Sequence, residues 1–546
     1  MTAWLLTGLL LFQGMGGGTR PVRQAGGPKV AAPAFALREV ALGLTAKHRY
    51  GDGTSKYILS MTGNGVAIID FDNDGKPDLL FNDGVAPVLY RNTGKAFVDV
   101  SPTSGLTARP WGQGVCAGDF DNDGWTDVLL TYYGASRLYR NEQGKFRDAT
   151  AVAGMPVDGK RFATGCAFVD YDRDGLLDVI VSNYVGFDLA TAAQPGATKY
   201  CTWLGLEVFC GPRGFPTDRP ILFHNNGAGK FRDVSETALK GISGLHYGLG
   251  VVTSDFDGDG WMDIYIACDS TPGILLRNNR DGTMTDVAVE AGTAYGADGE
   301  ELGSMGVAAV DVDGDGRLDL VKTNFIDETP SLYRNLGDWF FVDATQEAGF
   351  GRDATAVGWG VGVMDFDMDG RPDLIMANGH IYPELKAAYR QSKSLYWNGG
   401  GAFATIRTGA AMASRGLAVG DLDGDGVAEV VVANMNAVPS VYKVDGKRGG
   451  SLGVRLEGTR GNRSAIGARV SVTVGGKTQT EEVRSGGSYG SQHDFTLLFG
   501  LGTAKEAERV EVRWPNGETE AMGKLEAGAL YWMKEGAGVV GRVPWR

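Results

Sequence analysis

The sequence predicts an all-β protein: a seven-bladed β-propeller followed by a smaller C-terminal β domain. Three observations carry that prediction. A nine-residue pattern, Asp-x-Asp-x-Asp-Gly-x-x-Asp, recurs seven times along the 546 residues. Each copy is flanked by short β-branched and aromatic runs bounded by turn residues, the pattern of strands. Glycine supplies 84 residues, about twice its usual share, as many tight turns require.

The copies begin at Asp70, Asp119, Asp170, Asp255, Asp311, Asp365 and Asp421, with spacings of 49, 51, 85, 56, 54 and 56 residues. Repeats of this length read as propeller blades of four strands. In the first unit the strands are Val66–Ile69, Leu79–Phe81, Val88–Asn92 and Phe97–Val100. The second repeats the later pair as Leu138–Asn141 and Phe146–Ala149, and the sixth is degraded around Phe403. The seventh ends at Val441–Val444 with no outer strand, yet an unattached outer-strand segment, Phe35–Val40, precedes the first unit. Pairing the two closes a ring and removes an exposed sheet edge. An open solenoid is the competing arrangement, and it leaves both ends unsealed.

The long third interval contains an insertion, 185–220, that includes Cys201 and Cys210. In an exported chain this pair reads as a local disulfide worth about 2–3 kcal/mol. The insertion itself reads equally as a partner-binding excursion or as a cover over a blade edge. Cys116, Cys166 and Cys268 lie in apolar runs and read as buried small residues, with a thiol bridging two chains as the alternative.

Four carboxylates in nine residues repel one another unless a cation joins them. Positions 1, 3 and 5 point inward, Gly at position 6 permits the turn, and position 9 returns a fourth carboxylate. Position 7 varies widely, so its backbone carbonyl rather than its side chain is the expected ligand. The expected metal set is therefore Asp70, Asp72, Asp74, Lys76 and Asp78 in the first loop, and Asp119, Asp121, Asp123, Trp125 and Asp127 in the second. The third has Asp170, Asp172, Asp174, Leu176 and Asp178, and the fourth Asp255, Asp257, Asp259, Trp261 and Asp263. The fifth has Asp311, Asp313, Asp315, Arg317 and Asp319, and the sixth Asp365, Asp367, Asp369, Arg371 and Asp373. The seventh has Asp421, Asp423, Asp425, Val427 and Glu429, with Glu in place of the last Asp.

An EF-hand is excluded, because helices on both sides and a Glu at position 12 are missing. An all-oxygen set suits Ca²⁺ better than Mg²⁺. Seven Ca²⁺ would offset the formal net charge of −14. Their expected role is to staple hairpins rather than to sense calcium.

The acidic balance argues against nucleic acid as a partner. No Cys-x-x-Cys or His-x-x-x-His pair exists, so zinc and thioredoxin-type chemistry are expected to lack their ligands. Met1–Phe12 is an apolar stretch of signal-peptide size, followed by a Gly-rich stretch to Gly27. Residues 1–27 are thus expected to be an export leader, atypical in having only the α-amino charge ahead of it, and the chain secreted, periplasmic or on the cell surface. No later segment reaches 18 unbroken apolar residues, so no membrane span is expected.

The Asp loops and their flanks resemble the FG-GAP/VCBS repeats of integrin-α-like propellers. Residues 451–533 contain Asn462-Arg-Ser-Ala-Ile-Gly467, Arg484-Ser-Gly-Gly-Ser-Tyr489-Gly-Ser491-Gln492, Phe499-Gly-Leu-Gly502 and Val510-Glu-Val-Arg-Trp514-Pro-Asn-Gly517. This run is similar to an ASPIC/UnbV domain, and its order after the repeats resembles the cartilage acidic protein family and its bacterial relatives. The resemblance implies an extracellular calcium-binding propeller over 35–449, an ASPIC/UnbV β domain over 450–533 and a tail over 534–546. It supplies no reaction, so no catalytic residue is assigned.

The expected function is a non-catalytic adhesion or interaction protein with a protein or glycan ligand. Two alternatives stay open. Trp125 and Trp261 could stack on sugars in a calcium-dependent lectin, or a polysaccharide lyase could use a histidine base. Among His48, His224, His246, His380 and His493, His380 breaks the repeat pattern and is the candidate for that base.

Overall fold

The computed structural model describes residues 33–49, 56–242, 244 and 246–546. The leader expected over 1–27 lies outside them. The described chain is all-β, and each Asp loop joins two antiparallel strands, as the flanking patterns predict. The first repeat forms an antiparallel sheet of Gly65–Ile69, Asp78–Asn82, Val88–Asn92 and Phe97–Asp99 in sequence order. Six further groups of four strands follow the same order, and the second and third are linked where Phe162 pairs with Tyr133. In the last group the outer strand is Phe35–Val40, paired antiparallel with Ser440–Gly446 from Phe35 opposite Gly446 to Val40 opposite Val441.

The first strand of each group is inner: Gly65–Ile69, Gly112–Gly118, Arg161–Val169, Gly248–Ser254, Val307–Val310, Gly358–Met364 and Ser414–Gly420. Each neighbours the next in that order, and the last returns to the first. Five residues ahead of every Asp loop stands a glycine: Gly65, Gly114, Gly165, Gly250, Gly306, Gly360 and Gly416. These positions are glycine because backbones meet there. A Cβ on Gly306 would lie 2.0 Å from the Trp359 carbonyl oxygen, and one on Gly65 would lie 2.0 Å from that of Gly490.

That second contact belongs to the C-terminal region. Here one sheet contains Gly450–Glu457, Leu497–Gly502, Ala529–Lys534 and Gly538–Pro544, and a second contains Arg469–Val474, Lys477–Glu482, Glu506–Arg513 and Thr519–Glu526. Their shared core, including Val454, Val470, Val512 and Trp514, is continuous with that of the first three repeat sheets. The expected tail over 534–546 is corrected: Gly538–Pro544 is a strand that covers the edge of Ala529–Lys534. Beyond it, the Arg546 backbone N–H donates to the Gly424 carbonyl at 2.9 Å.

Between its two sheets this region sends a loop, 484–494, into the axis of the ring. The loop bonds to all seven inner strands. Gln492 exchanges backbone hydrogen bonds with Val66 and Ile68, Gly490 accepts from Val115, Gly487 donates to Val251, and Ser488 exchanges a pair with Val307. Ser485 Oγ accepts from the Phe168 N–H, and Ser488 Oγ accepts from Val361 N–H while donating to the Leu417 carbonyl. Ser485, Ser488 and Gln492 are fully buried. Backbone groups packed away from water must find partners within the protein, and this loop supplies them.

The opposite mouth of the ring, at the starts of the inner strands, is closed by the 185–220 insertion. Trp203, Val208 and Phe209 pack there with Phe187, Trp359, Tyr382 and Tyr489. Cys201 and Cys210 are bonded, as expected. A second disulfide, Cys116–Cys166, corrects the reading of those two cysteines as unpaired. They lie about one repeat apart on adjacent inner strands, with Cα atoms 5.8 Å apart, well inside bridging range. Cys268 is buried and free.

Replacing Gly306 by Ala forces a methyl group against a neighbouring backbone carbonyl. We expect it to destabilise the fold by about 1–3 kcal/mol, read as a lower midpoint of urea unfolding. An unchanged midpoint would contradict the close approach described.

Candidate metal centres

The Asp loops share one local architecture. The position-1 carboxylate accepts the backbone N–H of position 6, as when Gly75 donates to Asp70 Oδ2 at 3.0 Å. The position-5 carboxylate accepts from position 7, as from Lys76 to Asp74 at 2.9 Å. The position-9 carboxylate is the most deeply held. Asp78 accepts from Phe71 N–H at 3.2 Å and Asn92 N–H at 2.6 Å, and the five Asp residues that follow at this position repeat the pair.

The asparagine in that pair has a second task, which sequence reading missed. Asn141 Nδ2 donates to the Phe71 carbonyl of the preceding loop at 2.8 Å. Asn92, Asn225, Asn278, Asn335 and Asn398 likewise reach back to Leu422, Phe120, Tyr171, Phe256 and Val312. Each therefore ties one sheet to its predecessor. The seventh sheet has Val444 at this position, and there Phe35 of the N-terminal strand stacks on Phe366 of the sixth loop at 5.8 Å.

Loops also touch each other and the C-terminal region. Asn73 Nδ2 donates to the Gly124 carbonyl, Asn122 Nδ2 to that of Gly175, and Arg173 bonds the Gly260 carbonyl. From the C-terminal sheets, Arg513 pairs with Asp255, Ser464 Oγ accepts from Asp119 N–H, and Gly449 N–H donates to the Asp367 carbonyl. The C-terminal region thus sits on the loop face. The structure holds seven separate acidic loops side by side rather than one combined centre.

Their donor chemistry fits a hard divalent cation. Buried carboxylate oxygens stand without partners at Asp72, Asp121, Asp172 and Asp423, all position 3, and at Asp170 and Asp255, both position 1. Leaving such an oxygen unpaired is costly, and a bound cation removes the cost. Burial, with the neighbouring aspartates adding, pushes the carboxyls of Asp78, Asp170, Asp365 and Asp373 up to about 8. Glu429 rises to about 8 for the same reason, and Asp127 and Asp263 are raised well above the usual range by burial.

Position 7 is expected to offer its backbone carbonyl to a cation, and three of its side chains pair with loop carboxylates as well. Lys76 pairs with Asp74 at 2.6 Å, and Arg317 and Arg371 pair with Asp315 and Asp369. A long basic side chain two residues beyond a carboxylate closes back on it. Trp261 has Arg173 over its ring, 4.7 Å from the centroid, so that face is already covered. His380 is fully buried beneath the insertion, its Nδ1 accepting from Tyr382 N–H, and burial lowers its pKa to about 4. Two Gly-x-Ser-x-Gly matches, 449–453 and 486–490, escaped the sequence reading. Ser451 lies within a strand and Ser488 is in the buried axial loop, so neither forms a nucleophile elbow.

Residues 70–130, 119–181, 206–266 and 255–321 match the FG-GAP-like repeat family, and residues 458–540 match ASPIC and UnbV. The chain belongs to the FG-GAP-repeat proteins that carry an ASPIC/UnbV domain. Cartilage acidic protein 1 of Homo sapiens is 25% identical over 358 residues, 62% of this chain and 52% of its own length. The Mus musculus protein is 26% identical over 62% of this chain and 53% of its own length. This FG-GAP chain spans about half the length of these curated relatives.

Solved structures align loosely. A lectin of Agrocybe aegerita that recognises non-reducing terminal N-acetylglucosamine aligns at 17% identity, covering 67% of this chain and 88% of that one, with a TM-score of 0.36. The V. cholerae biofilm matrix protein Bap1 aligns at 12% identity, covering 90% and 76%, with a TM-score of 0.31.

The raised carboxyl pKa values set a pH dependence for the cation-free protein. Asp78 and Asp373 move from 3.8 to about 8 on folding. Their protonated forms therefore favour the fold at acid pH, and that contribution is lost as pH rises through this interval. Chelated protein is expected to melt lower at pH 8 than at pH 5, with Ca²⁺ raising the melting temperature most at pH 8. A chelated protein most stable at pH 8 would contradict this.

Proposed function

We propose that the chain is an exported, calcium-stapled, seven-bladed propeller that acts as a non-catalytic adhesion or interaction protein. The ring would comprise 35–449, and the C-terminal ASPIC/UnbV domain would extend from 450 through the last strand at 544. Each loop would hold one Ca²⁺ through the carboxylates at positions 1, 3, 5 and 9 and the position-7 carbonyl. The orphaned, buried carboxylate oxygens of the loops carry this reading. Bound cations would complete the charge balance that one or two basic side chains only begin in loops such as the first and second.

Several features support an interaction role outside the cell. Two disulfides suit an oxidising compartment, and the relatives are cartilage acidic proteins. No described helix is long and apolar enough to cross a membrane. One mouth of the ring is closed by the insertion and the axis by the C-terminal loop. A ligand surface therefore belongs on the outer rim, on the insertion, whose hairpin tip leaves Leu204 77% exposed, or in the open cleft that Asp311, Asp365 and Arg371 line with residues 476–482 of the C-terminal sheet.

The test is metal counting on the purified chain, paired with thermal unfolding before and after chelation. About seven Ca²⁺ per chain and a large drop in melting temperature on chelation are expected, with Asp121→Ala losing one equivalent. No bound metal and an unchanged melting temperature would overturn the proposal.

A further inference from the structure

The third strand of each repeat sheet places one side chain beside its Asp loop, immediately before the linking asparagine or its equivalent. In six sheets this residue is Arg91, Arg140, Arg277, Arg334, Trp397 or Lys443. Arg91, Arg140, Arg334 and Lys443 pair with aspartates of their own loops. The third sheet has His224 instead, the one candidate nitrogen ligand among the seven positions.

His224 Nδ1 lies 3.0 Å from Asp178 Oδ1 and 3.5 Å from Asp172 Oδ2. Ligand atoms of Asp172, Asp178 and His224 all fall within 4.8 Å of one another. Separations near 3.0–3.5 Å match the edges of a coordination polyhedron with bonds of about 2.0–2.2 Å. Two oxygens in this loop lack partners: Asp172 Oδ1 and Asp170 Oδ1, the latter on a side chain only 5% exposed. In the first, second and sixth loops the corresponding position-1 Oδ1 accepts the position-5 N–H. The fifth and seventh loops make this bond too, whereas the third, like the fourth, leaves the oxygen free; only the third also has an imidazole beside it.

We propose that the third loop is a transition-metal site, holding one first-row divalent ion of the Zn²⁺ or Co²⁺ class through His224 Nδ1 and the carboxylates of Asp170, Asp172 and Asp178. Imidazole suits such ions, whereas Ca²⁺ and Mg²⁺ favour oxygen. No local His-x-x-x-His motif announces the site, because the imidazole arrives from a strand 46 residues beyond Asp178. The inference rests on reading the Asp loops as cation sites and narrows it: six loops take Ca²⁺ alone, and the third takes Ca²⁺ only where no transition metal competes.

The experiment uses the full, tag-free chain, stripped with chelator and dialysed against excess Ca²⁺ with Co²⁺ as the spectroscopic probe. One Co²⁺ per chain with visible d–d bands is expected. His224→Arg installs the residue found in four sister sheets, and His224→Gln keeps a polar side chain without the imidazole. Both should bind Co²⁺ roughly tenfold or more weakly while melting as the parent does with Ca²⁺ present. Failure to retain Co²⁺ against Ca²⁺, or equal retention by both variants, overturns the inference. Co²⁺ bound through His224 with no Ca²⁺ elsewhere would sink the calcium reading and leave this one standing. Seven Ca²⁺ and no Co²⁺ would do the reverse.

Discussion

Seven inner strands meeting at one axis create the constraint on which the rest of this structure depends. Their backbones approach closely enough that Gly65 and Gly306 have no room for a methyl group, and no water reaches the groups they bury. N–H groups such as those of Ile68, Val115 and Val307 need acceptors, and carbonyls such as that of Leu417 need donors. One loop from the far end of the chain answers all seven strands. Its serines work from both ends, as when Ser488 Oγ accepts from Val361 and donates to Leu417. The C-terminal region is thus part of the ring's interior as well as a neighbour on its surface.

The acidic loops follow from the same geometry. They cap the inner strands, so they gather on one face, and their six position-9 aspartates sit where two backbone N–H groups converge, while Glu429 accepts from Leu422 N–H. The linking asparagines pass each sheet's position back to its predecessor, except at the seventh, where Phe35 on Phe366 takes over. This face meets the C-terminal sheets, while the disulfide-closed insertion covers the other mouth. His380 lies under that cover among Trp203, Phe325 and Tyr382, where it stays neutral and beyond a substrate's reach.

Much of this was legible in the sequence because it is periodic. The Asp pattern, the strand flanks and the missing outer strand all repeat at fixed offsets, and the pairing of Phe35–Val40 with Ser440–Gly446 follows by subtraction. The glycine ahead of each loop and the asparagine after it are equally periodic, but their work lies between sheets, and spacing alone does not reveal that. Cys116 and Cys166 are about one repeat apart, a signal that could have paired them. The axial loop has no periodic signal: Ser-Gly-Gly-Ser-Tyr-Gly-Ser marks a family resemblance, and only the ring around it gives it a structural role. Gly538–Pro544 was missed for a related reason, since its partner strand lies in a parallel-paired sheet with no repeat to mark it.

Hydrogen exchange at the backbone amides of Ile68, Val115 and Val307, followed in the intact chain, tests the central claim most directly. If the axial loop holds the seven strands as one unit, these amides exchange only with global unfolding and share the highest protection in the protein. Fast or independent exchange at the three sites, with the outer strands still protected, would show that the loop is a removable insert and that the ring stands without it.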